Sequence, residues 1–207
     1  MANVDGYENH DRYAANGLDL NRDHTKLMVK ESVYLKQAFS DFSPHLALDL
    51  HEYRPFRRDF TLLGEYGVTN YYDVMFLYSG NLNVPSKIRE FTQSAFVQSA
   101  VQVLNHFQYN SHDYFSTQKV HGEVQFKQGS NNSRSSATSF ALSNCISSLI
   151  EIRGVGIGKT SFKRRVHSAY LVSMSYLTSA YENRHTLFKM LSFNEQDKLR
   201  DSVIVES

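Results

Sequence analysis

The chain has 207 residues, a formal net charge of +1 at pH 7 and near-equal numbers of basic and acidic side chains, 22 against 21. This balance offers no broad basic field, so a nucleic-acid partner is not expected. No apolar run approaches the about 20 residues of a membrane span, so no membrane partner is expected either. No signal peptide is visible, and the compartment stays open. The single cysteine, Cys145, excludes an intrachain disulfide.

The first 23 residues place two arginines and an asparagine beside turn glycines. Gly6 and Gly17 allow the backbone to reverse direction, so Arg12, Asn21 and Arg22 can converge although they are separated along the chain. Two guanidinium groups and an amide would bind a carboxylate and the oxyanion of a polarised carbonyl. The alternative is a surface turn whose arginines pair with neighbouring aspartates. The aspartates available for such pairing are Asp5, Asp19 and Asp23.

A helix and a strand follow this turn. Lys26 to Phe42 has amphipathic spacing and precedes a Ser-Pro pair, which predicts a helix over these residues. Residues 46–53 alternate with period two, with three leucines on one face and with Asp49 and His51 on the other. This alternation predicts a buried strand that ends in an imidazole.

The middle of the chain predicts one clear helix. Residues 61–78 are rich in aromatic side chains and favour neither a helix nor a strand. Pro85 begins a helix with an apolar stripe that extends to about Phe107. The segment from Gln128 to Asn144 is rich in serine and asparagine, which predicts a loop. Because it precedes the next strand directly, this loop could cover a site as a lid.

A second strand and a long helix complete the predicted elements. Residues 148–154 form a strand pattern that carries Glu151 and Arg153 on one face. A carboxylate inside an apolar strand is costly unless it is paired or has a task. A helix is predicted from Thr160 to about Tyr181, with an apolar stripe that should face the core. That stripe comprises Phe162, Val166, Ala169, Tyr170, Leu177 and Tyr181.

The glycine-rich segment 154–160 lies between this strand and this helix, as a phosphate-binding loop would. A nucleotide P-loop needs four residues between its first glycine and its Gly-Lys-Thr end, and counting back from Gly158 places Arg153 at the position of that glycine. A turn that leaves the strand explains the same residues without a nucleotide.

In their order and spacing, these segments resemble the zinc carboxypeptidases of the carboxypeptidase A type. The landmarks of that family are an Asn-Pro-Asp-Gly turn, an arginine, Asp-Leu-Asn-Arg, an Asp-x-His strand end and a Glu-x-Arg strand. The corresponding segments here are residues 3–6, Arg12, 19–22, 49–51 and 151–153. The match extends from residue 1 to about Arg165. The resemblance implies an α/β domain with a mixed, largely parallel central sheet flanked by helices.

The resemblance also implies a role for each matching residue. Arg12 would polarise the scissile carbonyl, and Asn21 with Arg22 would hold the terminal carboxylate of the substrate. His51 would be a ligand of the cofactor, zinc. Glu151 would be the general base that activates the metal-bound water.

Three departures from the family pattern affect this implied chemistry. The other two zinc ligands of the family form a His-x-x-Glu pair upstream of the turn, and none of the nine histidines here is followed three positions later by a glutamate. One ligand does not hold a catalytic zinc, which needs about three protein groups. Val4 replaces the family proline. The mobile-loop tyrosine of the family has no counterpart between Gln128 and Asn144, where Phe140 occupies a comparable place.

Two other features of the sequence contain side chains that bind metals in other proteins. Glu182 and His185 have helical spacing, but such pairs are usually solvated and this one lies beyond the matched region. His24 is the remaining histidine of most interest because it is close to Arg22 along the chain.

The sequence therefore predicts one domain, residues 1–207, that resembles a zinc-carboxypeptidase domain lacking its N-terminal strands, with a loosely held tail over 194–207. The expected activity is zinc-dependent hydrolysis of the C-terminal peptide bond of a peptide. The alternatives are cleavage of an acylated amino acid by a related amidohydrolase, and a non-catalytic domain that binds carboxylates. An incomplete sheet should also expose a strand edge and favour self-association.

Overall fold

A computed structural model describes residues 3–61, 63–129, 131–154 and 159–196. The helices in these ranges are Val4–Asn9 (α1), Lys30–Phe42 (α2), Arg58–Thr61 (α3), Ser86–Phe91 (α4), Gln98–His106 (α5), Ser136–Leu142 (α6), Phe162–Glu182 (α7) and Arg184–Gln196 (α8). The strands are Leu46–Tyr53 (β1), Val74–Tyr78 (β2), Ser111–Asp113 (β3), Phe115–Val120 (β4), Glu123–Gln128 (β5) and Ile146–Arg153 (β6). A 3₁₀ turn covers Leu20–Arg22, and a π-helical segment, Thr92–Val97, joins α4 to α5. None of the described helices is long and apolar enough to cross a bilayer.

Four of the strands form one sheet in the order β1-β6-β2-β3. Strand β6 pairs in parallel with β1 and antiparallel with β2, and β2 pairs in parallel with β3. The predicted α/β class with a mixed, largely parallel sheet flanked by helices is confirmed. The prediction of a buried strand over residues 46–53 is wrong in one respect, because β1 is an edge strand among the described residues. Leu50 on β1 is accordingly 47% exposed.

The core lies between the sheet and helices α5 and α7. Ile146 and Ile150 of β6 are buried there together with Leu104 of α5 and Val172 of α7. Tyr176 of α7 is fully buried, and its hydroxyl donates a hydrogen bond of 3.1 Å to Oγ of Ser148 on β6. This bond satisfies a buried polar group and fixes α7 against β6, the strand that carries Glu151.

Helix α2 begins four residues later than predicted. The structure places a turn from Asp23 to Val29 before the helix, and the Asp23 carboxylate accepts hydrogen bonds from the N–H groups of Met28 and Val29 at 3.0 and 2.9 Å. The helix itself has no side-chain cap. The predicted start of the helix was wrong because the Asp23 side chain binds the backbone N–H groups of the residues before Lys30 and holds them in a turn.

The prediction for 85–107 is confirmed, because α4, the π-helical segment and α5 continue one another from Ser86 to His106. The ambiguous segment 61–78 contains β2, whose Val74, Met75 and Phe76 are buried.

The prediction of a loop from Gln128 to Asn144 is correct for 131–135 and wrong for the residues that follow, Ser136–Leu142. These residues form α6, in which Ser136 to Ala141 are all buried, so this half of the segment belongs to the interior and is not part of a lid. Phe140 stacks on Phe39 with a centroid distance of 4.3 Å. It therefore does not occupy a mobile loop. Serines at these positions look like loop residues, but here they allow a short helix to pack closely against the sheet.

The orientation predicted for α7 is also wrong. Five of the six residues of the predicted stripe lie on the outer face, where Phe162 and Tyr170 are 55% and 58% exposed, whereas Ala169 is partly buried and packs against the core. The buried face of the helix is lined instead by Ser168, Leu171, Val172, Ser175, Tyr176 and Ser179. Small serines bring the helix close to the sheet, and one tyrosine supplies much of the buried volume.

Several sequence predictions fall at the margins of the described residues. Residues 155–158 of the glycine-rich segment and residues 197–207 of the predicted tail lie outside them. The start of that tail, 194–196, belongs to α8. Glu182 ends α7 and His185 lies in α8, so the proposed helical spacing between them is interrupted at Asn183.

Candidate active site

The centre of the site is a pair of residues on adjacent parallel strands. In the register of β1 and β6, His51 is the partner of Glu151. Paired residues of neighbouring strands point to the same face of a sheet, so the imidazole and the carboxyl group lie side by side. Both lie two residues before the ends of their strands, near the carboxyl edge of this part of the sheet.

His51 is held by a carboxylate from its own strand. Its Nε2 lies 2.9 Å from Oδ2 of Asp49, and the same oxygen accepts a hydrogen bond from the hydroxyl of Ser136 at the start of α6. Burial alone would lower the pKa of His51, but the charges of Asp49 and Glu151 raise it overall. Burial likewise opposes the charged form of Asp49, yet its bonds to His51 and Ser136 lower its pKa. The pair thus fixes the orientation of the ring and leaves Nδ1 as its other polar atom.

Glu151, unlike His51, has an oxygen atom without a hydrogen-bond partner in the described part of the chain. That atom, Oε2, is buried. Burial raises the pKa of Glu151, although the positive charges of His51, Arg12 and Arg57 act against this shift. A carboxyl group with a raised pKa can accept and return a proton near neutral pH, which is the property of a general base.

The N-terminal turn positions Arg12. The side chain of Asn3 accepts a hydrogen bond from Gly6 N at 2.9 Å and donates one to the carbonyl of Arg12 at 3.0 Å. A Cβ at Gly6 would lie 2.5 Å from the carbonyl oxygen of Asp11, so no larger residue fits this turn without a shift. The asparagine and the glycine therefore fix the backbone that carries Arg12.

The sequence left open a surface turn whose arginines pair with neighbouring aspartates. Arg12 forms one such pair, because its Nε donates to Oδ2 of Asp19 at 2.7 Å. That is the only side-chain bond of Arg12 among the described residues, so its two terminal nitrogens remain available there. The side chain is 52% exposed. Asp19 also accepts from the N–H of Asn21, which ties the arginine to the 3₁₀ turn.

The 3₁₀ turn directs Asn21 and Arg22 differently. Oδ1 of Asn21 accepts a hydrogen bond of 2.8 Å from the backbone N–H of Ser136, which leaves the amide NH₂ as the free donor. Nη1 of Arg22 donates to the carbonyl of Asn21 at 2.8 Å. The pair is thus held to the beginning of α6, the element that also holds Asp49.

A cleft of about 570 Å³ joins most of these groups. Arg12, Asn21 and His51 line it, together with His24 and Asp49. Glu151 is adjacent through His51, and the charges of both His51 and Arg12 act on it. Arg22 lines a different, neighbouring cleft. Three of the five predicted site residues thus line one cleft, Glu151 lies next to it on the strand that pairs with His51, and Arg22 lines the neighbouring cleft.

Two contributors were not predicted. Ser136 binds Asp49 and Asn21, but its serine-rich surroundings resembled a loop. His24 is buried against Phe140 with a ring distance of 5.2 Å, its Nδ1 has no hydrogen-bond partner among the described residues, and burial lowers its pKa. Its position near Arg22 in the sequence was the only signal for it. The placement of Asp49 on the same face as His51 followed from the period-two alternation.

The described residues do not form a complete zinc site. No group of three or more His, Cys, Asp or Glu side chains with metal-binding geometry occurs among them. Glu52, the nearest other carboxylate along β1, is bound to Arg165 of α7 by a 2.5 Å ion pair. His51 is thus the one expected ligand present, and the donor set does not fit a catalytic zinc.

Comparisons with known proteins show what this arrangement resembles. Carboxypeptidase 2 of Trichophyton rubrum is 28% identical over 187 residues, which cover 87% of this chain and 33% of that protein. Carboxypeptidase 2 of Trichophyton equinum is 28% identical over 182 residues, with the same shares of the two chains. No family model matches the chain. The chain spans about a third of the length of the curated relatives it matches.

A solved structure gives the same result for the fold. A protein of Shewanella denitrificans named as a carboxypeptidase A superposes with a TM-score of 0.56 at 17% identity and covers 91% of this chain and 45% of that one. The architecture is therefore that of a carboxypeptidase α/β domain. The resemblance to carboxypeptidases of the A type that the motifs predict is confirmed by these relatives.

Proposed function

We propose that this chain provides the substrate-binding and proton-transfer part of a metallocarboxypeptidase site, which binds the C-terminal carboxylate of a peptide. The observation that supports this most directly is the convergence of Arg12, Asn21 and His51 on one cleft beside Glu151. In this proposal the free nitrogens of Arg12 and the amide NH₂ of Asn21 bind substrate oxygens. Preorganised donors of this kind stabilise negative charge better than water does because they need not reorient.

Glu151 is the proton acceptor in this proposal. Its buried, unpartnered oxygen faces no competing hydrogen-bond donor among the described residues, and its pKa is raised by burial. Asp49 and Ser136 act on His51 as positioning residues, because they set which ring nitrogen is engaged. Zinc-dependent hydrolysis would require further ligands beyond His51, so no step is assigned to a metal.

A direct test is to measure binding of N-acetyl-Gly-Phe and of its C-terminal amide by titration calorimetry. The free acid should bind about tenfold more tightly, because a charge-assisted hydrogen bond to the carboxylate is lost in the amide. Arg12→Gln should reduce that preference several-fold, whereas Arg54→Gln, which removes an exposed arginine that lines neither cleft, should not. Equal binding of acid and amide would refute the proposal. An acylated amino acid has the same free carboxylate, so the amidohydrolase alternative shares this binding step.

A second candidate is a non-catalytic domain that binds carboxylates. The absence of a three-ligand set among the described residues favours it. The two candidates differ in one measurement: turnover of N-acetyl-Gly-Phe in the presence of zinc separates an enzyme from a binding domain, and carboxylate binding without turnover supports the binding domain.

A further inference from the structure

A second cleft, of about 900 Å³, adjoins the turn that carries Asn21 and Arg22. Its walls come from the β4–β5 hairpin, the loop that follows the hairpin and the segment around Asn81. The lining residues that determine its chemistry are Arg22, Asn81, Tyr114, Lys127, Asn131 and Arg134. Neither aspartate nor glutamate is among the described residues that line it.

The three cations of this cleft are Arg22, Lys127 and Arg134, and they are not paired with acidic side chains in the part of the chain that the structure describes. Elsewhere in the structure, Arg57, Arg164 and Arg165 are each paired with an acid. A concave surface with one sign of charge raises the local concentration of the opposite charge. The cleft therefore favours an anionic group.

The loop that carries Arg134 is fixed in place. The carbonyl of Arg134 accepts a 3.2 Å hydrogen bond from the N–H of His24. The side-chain oxygen of Asn131 accepts one of 3.0 Å from Gly80 N, and its carbonyl accepts one of 2.9 Å from Nδ2 of Asn81. These bonds connect the loop to both neighbouring segments, so the backbone that carries Arg134 needs little ordering when a ligand binds.

Tyr114 lines this cleft, and its hydroxyl is held by an arginine. Its hydroxyl accepts a 2.8 Å hydrogen bond from Nη1 of Arg57, which leaves its own proton for a ligand. A Cβ at Gly129 would lie 2.9 Å from Cδ1 of Tyr114, so the hairpin end presses directly on the ring. Burial raises the pKa of Tyr114, Arg57 lowers it and the charge of Glu151 raises it further, so Tyr114 lies within electrostatic reach of the proposed base.

We propose that this cleft binds the acidic side chain of a C-terminal glutamate or aspartate in the bound peptide. The proposal rests on the proposed function, in which Arg12 and Asn21 bind the terminal carboxylate in the neighbouring cleft. The two carboxylates of a terminal glutamate are joined by a short chain, so their sites must adjoin. The consecutive residues Asn21 and Arg22, which line one cleft each, meet this requirement. Arg134 and Lys127 then select a charged side chain over a neutral one of the same shape.

The test compares N-acetyl-Gly-Glu with N-acetyl-Gly-Gln, whose side chains have the same size but differ in charge. At low ionic strength the glutamate peptide should bind the unmodified 207-residue chain about tenfold more tightly. Arg134→Gln and Lys127→Gln should each reduce that ratio several-fold while affinity for the glutamine peptide stays unchanged. Lys119→Gln is the matched control, since it removes a lysine from the same hairpin that does not line the cleft. Added salt should reduce the preference because Arg134 and Lys127 are exposed.

The outcomes separate this inference from the proposed function. If the glutamate and glutamine peptides bind equally while both bind more tightly than their C-terminal amides, the selection of acidic residues is wrong and carboxylate binding stands. If the free acid of the glutamine peptide binds no better than its amide, the proposed function fails. An unchanged preference for glutamate in both Arg134→Gln and Lys127→Gln would also overturn the assignment to this cleft.

Discussion

His51 and Glu151 occupy paired positions on the parallel strands β1 and β6, yet only His51 has a hydrogen-bond partner among the described residues. The imidazole is satisfied by Asp49, whereas Oε2 of Glu151 is buried without a donor. Such an arrangement is costly for folding and is typical of sites where reactivity is needed. Stability measurements can therefore detect the site without any assay of activity.

We predict that Glu151→Gln stabilises the protein increasingly as pH rises. Burial raises the pKa of Glu151 above its usual value of 4.5, so the native state retains a proton that the unfolded state has lost. The unmodified protein then loses stability as pH rises from about 4.5 through the folded-state pKa, and the glutamine variant does not. The variant should gain about 1 to 3 kcal/mol relative to the unmodified protein between pH 4 and pH 8.

Urea unfolding at a series of pH values measures this difference. Glu52→Gln is the control, because that carboxylate is partly exposed and paired with Arg165. A difference between Glu151→Gln and the unmodified protein that does not change with pH would contradict the prediction.

Asp23 should have the opposite pH dependence. Burial opposes its charge, but the bonds from Met28 and Val29 lower its pKa overall below 3.8. Its contribution is therefore fully present above that value and is lost as pH falls through the lower folded-state pKa. Asp23→Asn should cost about 1 to 2 kcal/mol at pH 7, because a buried carboxylate that accepts two backbone N–H bonds is replaced by a neutral amide, and less at pH 2.

Thermal or urea unfolding of both forms at the two pH values tests this expectation. Asp41→Asn provides the comparison, since Asp41 is an exposed aspartate in α2, the helix that follows this turn, and its one hydrogen bond among the described residues comes from Gln37. A penalty for Asp23→Asn that is the same at pH 2 and pH 7 would show that the negative charge is not responsible.

The sequence predicted the elements whose side chains alternate against a sheet. Residues 46–53 and β6 were predicted correctly as strands because a period of two places Asp49 and His51 on one face whatever the surrounding fold. The β4–β5 hairpin was missed because its strands are polar and largely exposed, so they lack a buried face. Helix α6 was missed because serine favours loops in isolation, and only close packing against the sheet compensates for that preference.

The error in α7 has a different cause. An apolar stripe at helical spacing indicates which face of a helix is hydrophobic. It does not indicate which part of the protein packs against that face. Tyr176 and Val172, on the other face of α7, pack in the core. Phe162 and Val166 lie instead beside Leu50 of the edge strand β1. A single sequence cannot predict this arrangement because it depends on which strand lies at the edge.

The exposed stripe and the β1 edge lead to the prediction that the chain self-associates. Phe162, Val166 and Leu50 line one shallow depression beside a strand whose outer side is unpaired among the described residues. A second copy of the chain could pair with that strand and cover the apolar side chains. Val166→Lys should therefore shift the protein towards the monomer in sedimentation velocity measurements.

The matched control for this surface is Tyr66→Lys, which places a lysine at a highly exposed aromatic residue that does not line the depression. It should leave the association state unchanged. A monomeric unmodified protein at about 100 µM, well above the concentration at which weak association is detected, would refute the prediction.

The last prediction concerns metal. His51 is the one expected zinc ligand within the described ranges, and its Nε2 is engaged by Asp49. A single imidazole does not retain zinc against dialysis, because structural and catalytic sites use three or four protein ligands. The purified 207-residue chain should therefore retain well below one zinc per molecule after equilibration and dialysis, as measured by elemental analysis. Stoichiometric zinc with turnover would show that a replacement ligand pair exists, and Glu182→Gln and His185→Asn would be the first variants to test for its loss.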